Sequence, residues 1–158
     1  MGQGVIILST LGFIAWLTGS GWVAAMDFCM VAALLAFLIF NFYPAKVFPG
    51  DTLTYSVGAL IAIVAIFANI EKYALILFIP YFIEVILKAR GKMQKESFAK
   101  VLKDGSLKNQ YRRYYGIEHI AINTIRTLKK KAFEHEVVLS IWAFQAIIAI
   151  FTMGYFFW

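Results

Sequence analysis

The sequence predicts an all-α, polytopic membrane protein of about five transmembrane helices, with one amphipathic helix on the cytoplasmic face. Three observations carry that expectation. Hydrophobic residues make up 61% of the 158, and the mean hydropathy is +0.74, well beyond what the surface of a soluble domain accommodates. These residues gather into long apolar runs parted by short polar links. The basic residues, in contrast, collect mostly in one segment late in the chain.

Taken in order, the first run covers residues 4–17 and ends at the turn Thr18-Gly19-Ser20-Gly21. At about 1.5 Å per residue it reaches about 21 Å, short of the roughly 30 Å hydrocarbon core, so this span is expected to be incomplete or to begin upstream. Residues 22–40 form the second span, interrupted by Asp27 alone, which is expected to reach the outer interface. Residues 53–69 and 73–87 give the third and fourth, with Ile70-Glu71-Lys72 between them. The fifth, 137–158, closes on the aromatic cluster Tyr155-Phe156-Phe157-Trp158, which suits a membrane interface. Together they form a single membrane domain with a basic loop over 88–136.

Alternating spans place the loop at 42–51 and the segment 88–136 on one side. That side carries fourteen of the fifteen Lys and Arg, and the other holds only Lys72. The positive-inside rule makes the rich side cytoplasmic and puts the C-terminus outside. Within the segment, Lys103-Asp104-Gly105-Ser106 reads as a turn, the tip of a hairpin. Ile117, Ile120, Ala121, Ile125 and Leu128 recur at helical spacing opposite polar residues, as in an amphipathic helix lying on the leaflet. Basic charge of this kind points to membrane phosphates, and nucleic acid is not an expected partner. The lone Cys29 sits in an apolar run, which excludes a disulfide framework and a thiolate metal cluster. The start of the chain has neither a basic region nor a small-residue cleavage site, so no signal peptide is read there.

The polar break Asn41-Phe42-Tyr43-Pro44-Ala45-Lys46-Val47-Phe48-Pro49-Gly50-Asp51-Thr52 parts the second and third spans. Its prolines and glycine stop either helix from continuing, and Asp51 falls where the next apolar run begins. A helix start presents free N–H groups and partial positive charge, which draw phosphate oxygens, and a carboxylate in the first turn can hold a divalent cation beside them. Asp51 can equally be a simple helix cap. Phe48 can be an interfacial anchor, Lys46 a side chain reaching for headgroups, and Asn41 a helix terminator. Glu84 lies four residues before Lys88 and is expected to pair with it. His119 and His135 have no second ligand at metal spacing and are expected to be solvated.

This twelve-residue stretch resembles the signature of the polyprenyl-phosphate N-acetylhexosamine-1-phosphate transferases, glycosyl transferase family 4. It is most similar to the archaeal and eukaryotic branch that uses UDP-GlcNAc and dolichyl phosphate. The resemblance implies transfer of GlcNAc-1-phosphate from UDP-GlcNAc to dolichyl phosphate with release of UMP. It makes Asp51 a Mg2+ ligand and puts Phe48 against the uracil ring; Gly50 belongs to the same site, and Lys46 lies close enough to contribute. Arg90-Gly91-Lys92 falls where the family carries a basic motif that grips the pyrophosphate. The histidine of that motif is missing here. Gly105 and Leu107 match the register of the eukaryotic relatives' Thr-Gly-Lys-Leu.

The resemblance covers only the C-terminal half of the family. The aspartate-rich Asp-Asp-x-x-Asp motif of an earlier loop has no counterpart, since no Asp-Asp pair occurs in the chain. Met1-Gly2-Gln3-Gly4 stands where relatives continue from Asn-Gly-Leu-Glu into Ala-Gly-Gln-Ser. The expectation is a fragment, a split subunit or a misplaced start, inactive alone. Its expected partners are an N-terminal half or subunit, membrane lipids, and a second copy of the chain in a homodimer. A non-enzymatic membrane subunit whose basic loop binds anionic lipid is the rival reading. A transporter half is disfavoured by the lack of paired Gly/Pro breaks in the spans.

Overall fold

The structure, a computed structural model, describes residues 1–92, 99–102, 104–111 and 113–158. Seven helices and one hairpin follow in the order α1 (Gly2–Leu17), α2 (Gly21–Asn41), α3 (Asp51–Phe67), α4 (Glu71–Leu77), α5 (Ile79–Arg90), β1 (Lys100–Val101), β2 (Leu107–Lys108), α6 (Ile117–Lys129) and α7 (Glu134–Phe157). The chain is a helical membrane protein to which a two-stranded antiparallel hairpin is added, so it is not purely α. Among the described residues only α2 and α7 are long and apolar enough to cross a membrane unaided, while α1 and α3 are shorter apolar helices. The expected fourth span, 73–87, is two helices. Helix α4 stops at Leu77, and α5 begins with Pro80 in its first turn, where a residue without an N–H is tolerated.

The contacts divide the chain into two compact units, residues 1–77 with 145–158, and residues 78–144. In the first, α1 is the core helix. Ile7, Leu8, Leu11, Ile14 and Ala15 are fully buried, as expected for a helix apolar on every side. It ends in a Schellman motif, with Gly19 N–H donating to Trp16 O at 3.1 Å and Ser20 N–H to Ala15 O at 2.9 Å. Gly19 supplies the left-handed conformation this needs, at φ +85. Helix α3 ends identically, with Asn69 at φ 54 and Ile70 N–H donating to Ala65 O at 2.8 Å.

Asp27 does not reach an interface as expected. It is fully buried where α2 crosses α1, its carboxyl oxygens set against the backbone of Gly12 without a hydrogen bond of good geometry. Only a glycine leaves room for it there. A second buried polar residue, Gln145 of α7, donates to Leu77 O at 3.1 Å and lies 3.3 Å from the Gln3 amide. The carbonyl at the end of α4 thus finds a donor inside an apolar interior, as a buried polar group must.

The second unit is built on Ile122, Ala132 and Val137, with Ala99, Leu107, Ala121, Ile125 and Ile141 around them. Helix α6 is amphipathic over the expected residues, but its buried stripe is rotated. Ile122 is central, and Ile120 and Leu128 stay exposed, because the hairpin and α7 take the face predicted for lipid. Asp104 and Gly105 form the hairpin tip, with Gly105 at φ +76; Lys103 lies outside the described residues. Polar links staple the unit together: Leu107 N–H to Ala132 O at 2.7 Å, Arg126 Nη1 to Leu107 O at 2.9 Å, and Lys131 to Asp104 at 2.9 Å. His119 is a further correction, since it is buried and accepts from Tyr115 N–H at Nδ1, 3.2 Å away. Its place one turn from Tyr115 on the packed side of α6 removes it from solvent.

Candidate functional site

The polar break between α2 and α3 closes back on the helix it leaves. The N–H groups of Lys46 and Val47 donate to Phe40 O at 2.9 and 3.3 Å, and the Asn41 side chain donates to Val47 O at 2.8 Å. Asn41 therefore shapes the loop, which answers the question its position raised. Beyond this closed turn the chain runs extended through Gly50, at φ −84 and ψ 172, into α3.

Gly50 is the N-cap of α3, so Asp51 is the first helical residue and not the cap. The simple capping role does not apply to it. Its carboxylate is exposed and makes no hydrogen bond or ion pair among the described residues. Gly50 contributes no side-chain acceptor, and the Gly50 carbonyl receives Leu53 N–H at 3.2 Å and Thr54 N–H at 3.3 Å. The N–H groups of Asp51 and Thr52 have no acceptor among the described residues. A helix start left open this way offers two donors and the positive end of a dipole to an anion, with a carboxylate beside them. Phe48, 79% exposed, and exposed Lys46 flank it in the same loop. One carboxylate plus ligand phosphates and waters is a usual environment for magnesium, and the donor set fits that ion in part. Among the described residues no group of three or more His, Cys, Asp or Glu could hold a metal alone.

Arg90 and Lys92 belong to the second unit. Arg90 is the last residue of α5, exposed and without an ion pair among the described residues. Gly91 caps the helix at φ −86, a conformation open to any residue, and it is Lys92 that takes the left-handed position, at φ 53. Lys92 N–H donates to Ala89 O at 2.9 Å, so this lysine stands where glycine is usual. Lys88 is paired with Glu84 at 3.1 Å, as the i,i+4 spacing predicts. Sequence reasoning missed the other half of Glu84's work, which is to accept Ile117 N–H at 2.7 Å from α6. A carboxylate in an apolar run was the available signal; its partner, thirty-three residues away, was not.

Residues 1–69 match the family described as Glycosyl transferase family 4. Along nearly its whole length the chain is also similar to a protein of Saccharolobus solfataricus provisionally named UDP-N-acetylglucosamine–dolichyl-phosphate N-acetylglucosaminephosphotransferase. The identity is 37% over 152 residues, 95% of this chain and 45% of the relative. The chain is similar to glycosyl transferase family 4 over its first 69 residues. A Sulfolobus acidocaldarius protein with the same provisional name is 32% identical over 151 residues, 94% of this chain and 44% of that protein. The phospho-N-acetylmuramoyl-pentapeptide-transferase of Halalkalibacterium halodurans is 38% identical over 99 residues, 58% of this chain and 30% of that protein. The chain thus spans under half the length of these relatives. The polar break from Asn41 to Thr52 lies inside the matched segment, whereas Arg90 and Lys92 lie beyond it.

Proposed function

We propose that the chain takes part in transfer of GlcNAc-1-phosphate from UDP-GlcNAc to a polyprenyl phosphate, dolichyl phosphate in this branch of the family, with release of UMP. The observation that carries the reading is the open start of α3, where Asp51 and two neighbouring N–H groups stand without a partner among the described residues. The provisional names of the archaeal relatives supply the substrate class. The lipid phosphate oxygen attacks the sugar-linked phosphorus, the bond from that phosphorus to the bridging oxygen breaks, and UMP leaves. Phosphoryl chemistry of this kind asks the protein mainly for alignment and charge neutralisation.

Asp51 would hold Mg2+, which when bound supplies charge neutralisation on the pyrophosphate. Lys46 lies toward the same phosphates, Phe48 stacks on the uracil, and Gly50 keeps the helix start clear of side chains. Arg90 offers a fork and Lys92 a point charge to the pyrophosphate. The family resemblance adds an aspartate-rich motif to this site, and no Asp-Asp pair occurs in the chain, so a further carboxylate and the residue that prepares the attacking oxygen are assigned to a segment or subunit outside these 158 residues. In this reading the loop at 42–51 and the segment 88–136 are cytoplasmic, the spans number about five, and the basic charge meets nucleotide and membrane phosphates alike.

The test is UMP release from UDP-GlcNAc and dolichyl phosphate in membranes. The chain would be co-expressed with the part of the Saccharolobus solfataricus relative that it does not cover. Activity is expected in the combination and not in the chain alone. Asp51→Asn is expected to abolish magnesium-dependent release while leaving membrane insertion intact. Release that persists in Asp51→Asn removes that residue from the metal site; vigorous release by the chain alone refutes the need for outside groups.

A further inference from the structure

Two helices here begin at a glycine N-cap that offers no side-chain acceptor, α3 at Gly50 and α6 at Gly116. The first is left open. The second is filled from within the protein, because Glu84 of α5 places Oε2 2.7 Å from the N–H of Ile117, the first residue of α6. The other oxygen, Oε1, lies 3.1 Å from the Lys88 ammonium, one turn further along α5. We propose that Glu84 is a positioning residue, an internal anion that docks the first turn of α6 on α5 and so holds the basic end of α5, Arg90 to Lys92, in place.

The charges require such a group. The positive end of α6 and the ammonium of Lys88 are like charges brought to one place, and a carboxylate between them turns repulsion into one charge-assisted hydrogen bond, from Ile117 N–H, and one ion pair, with Lys88. With 18% of its side chain exposed, Glu84 is shielded enough for both to matter. Glu118, the acid in the first turn of α6 itself, does not serve instead. Burial pushes its carboxyl up from the usual range, its own backbone N–H offsets part of that, the charge of Glu84 adds to the rise, and its Oε2 has no hydrogen-bond partner among the described residues.

The arrangement also separates the cations by task. Lys88, Lys129 and Lys131 are committed to Glu84, Glu136 and Asp104, whereas Arg90 and Lys92 have no ion pair among the described residues. By taking Lys88 and the start of α6, Glu84 uses up the nearby sites where an anion would otherwise be captured away from Arg90 and Lys92. In that respect the inference rests on the proposed function, in which those two residues meet the nucleotide phosphates.

The experiment compares Glu84→Ala, Glu84→Gln and Arg90→Ala in the full chain in lipid nanodiscs. It reads amide hydrogen exchange in α5 and α6, and binding of UDP in the presence of magnesium. Loss of a charged acceptor from a shielded donor should raise exchange in the first turn of α6 and at Ala89 to Lys92 by roughly tenfold or more in Glu84→Ala. Glu84→Gln, which keeps an acceptor oxygen, should recover most of that protection and most of the UDP affinity lost in Glu84→Ala. Unchanged exchange in Glu84→Ala overturns the inference. So does UDP affinity that survives Glu84→Ala yet falls in Arg90→Ala, a result that leaves the proposed function standing. If Arg90→Ala does not alter UDP binding but Glu84→Ala opens both segments with rescue by Gln, the role of Glu84 in placing the end of α5 holds and the ligand reading is the part that fails.

Discussion

Replacing Gly12 with alanine should be costly, and the cost should depend on one partner. A Cβ at position 12 would overlap Asp27 Oδ2 and lie 3.1 Å from Phe28 Cε1 and 3.3 Å from Asp27 Cγ, so the tightly packed α1–α2 pair must give way. Forcing an extra carbon into a packed interior costs about 1–3 kcal/mol. Alanine for glycine inside a helix returns up to about 1 kcal/mol through propensity. The net expectation is a loss of about 1–2 kcal/mol. In an Asp27→Ala background two of the three close atoms are gone, and the same Gly12→Ala change should cost less than about 0.5 kcal/mol or even stabilise. The difference, about 1–2 kcal/mol of coupling, is what a double-mutant cycle isolates. Unfolding in detergent micelles followed by circular dichroism measures all four proteins. An equal cost of Gly12→Ala in both backgrounds would refute the idea that glycine is there to admit the carboxyl group.

Lys92→Gly should separate stability from ligand binding. Relief of the left-handed backbone at φ 53 is worth about 1–2 kcal/mol, less about 0.4–1 kcal/mol for the freer unfolded chain. A modest gain in thermal stability together with weaker UDP binding is expected, and unchanged binding would remove Lys92 from the phosphate contacts. For orientation, Ser106 is buried and exposed Lys108 is the better probe. In a Cys29→Ala background, Lys108→Cys should react with an impermeant thiol reagent only once the cytoplasmic face is opened, and labelling from outside would invert the topology. Asp104 gives a pH dependence. The Lys131 ammonium, then the Ser106 hydroxyl and N–H, hold its carboxyl well below the usual carboxylate range. Because the folded value lies below the unfolded one, the stabilisation is full above the unfolded value and fades as pH falls from about 4 through the folded value. Hairpin amide resonances should report loosening in that acid range. Asp104→Asn should abolish this pH dependence; an unchanged acid transition would place its origin elsewhere.

The sequence by itself determined where the chain is helical and apolar, because a membrane-spanning pattern is written in composition and run length. It also located the break between α2 and α3 and the residues in it, since prolines and a glycine between two apolar runs leave the backbone few alternatives. The pair Glu84–Lys88 was legible for the same reason, four residues being one helical turn. Tertiary structure decided what depends on distant chain segments. It made Gly50 the cap and left Asp51 without a partner among the described residues, broke 73–87 into α4 and α5 with Gln145 of α7 meeting the freed carbonyl, and turned α6 so that Ile122 faces inward. It buried Asp27 against Gly12 and His119 on the packed side of α6, although both types usually seek water. Periodicity reports which residues share a face, but which face is covered, and by what, is settled only when a helix meets its neighbours. A glycine in one helix and an aspartate on the next carry no mutual signal in one dimension. Packing makes them a single fitted contact.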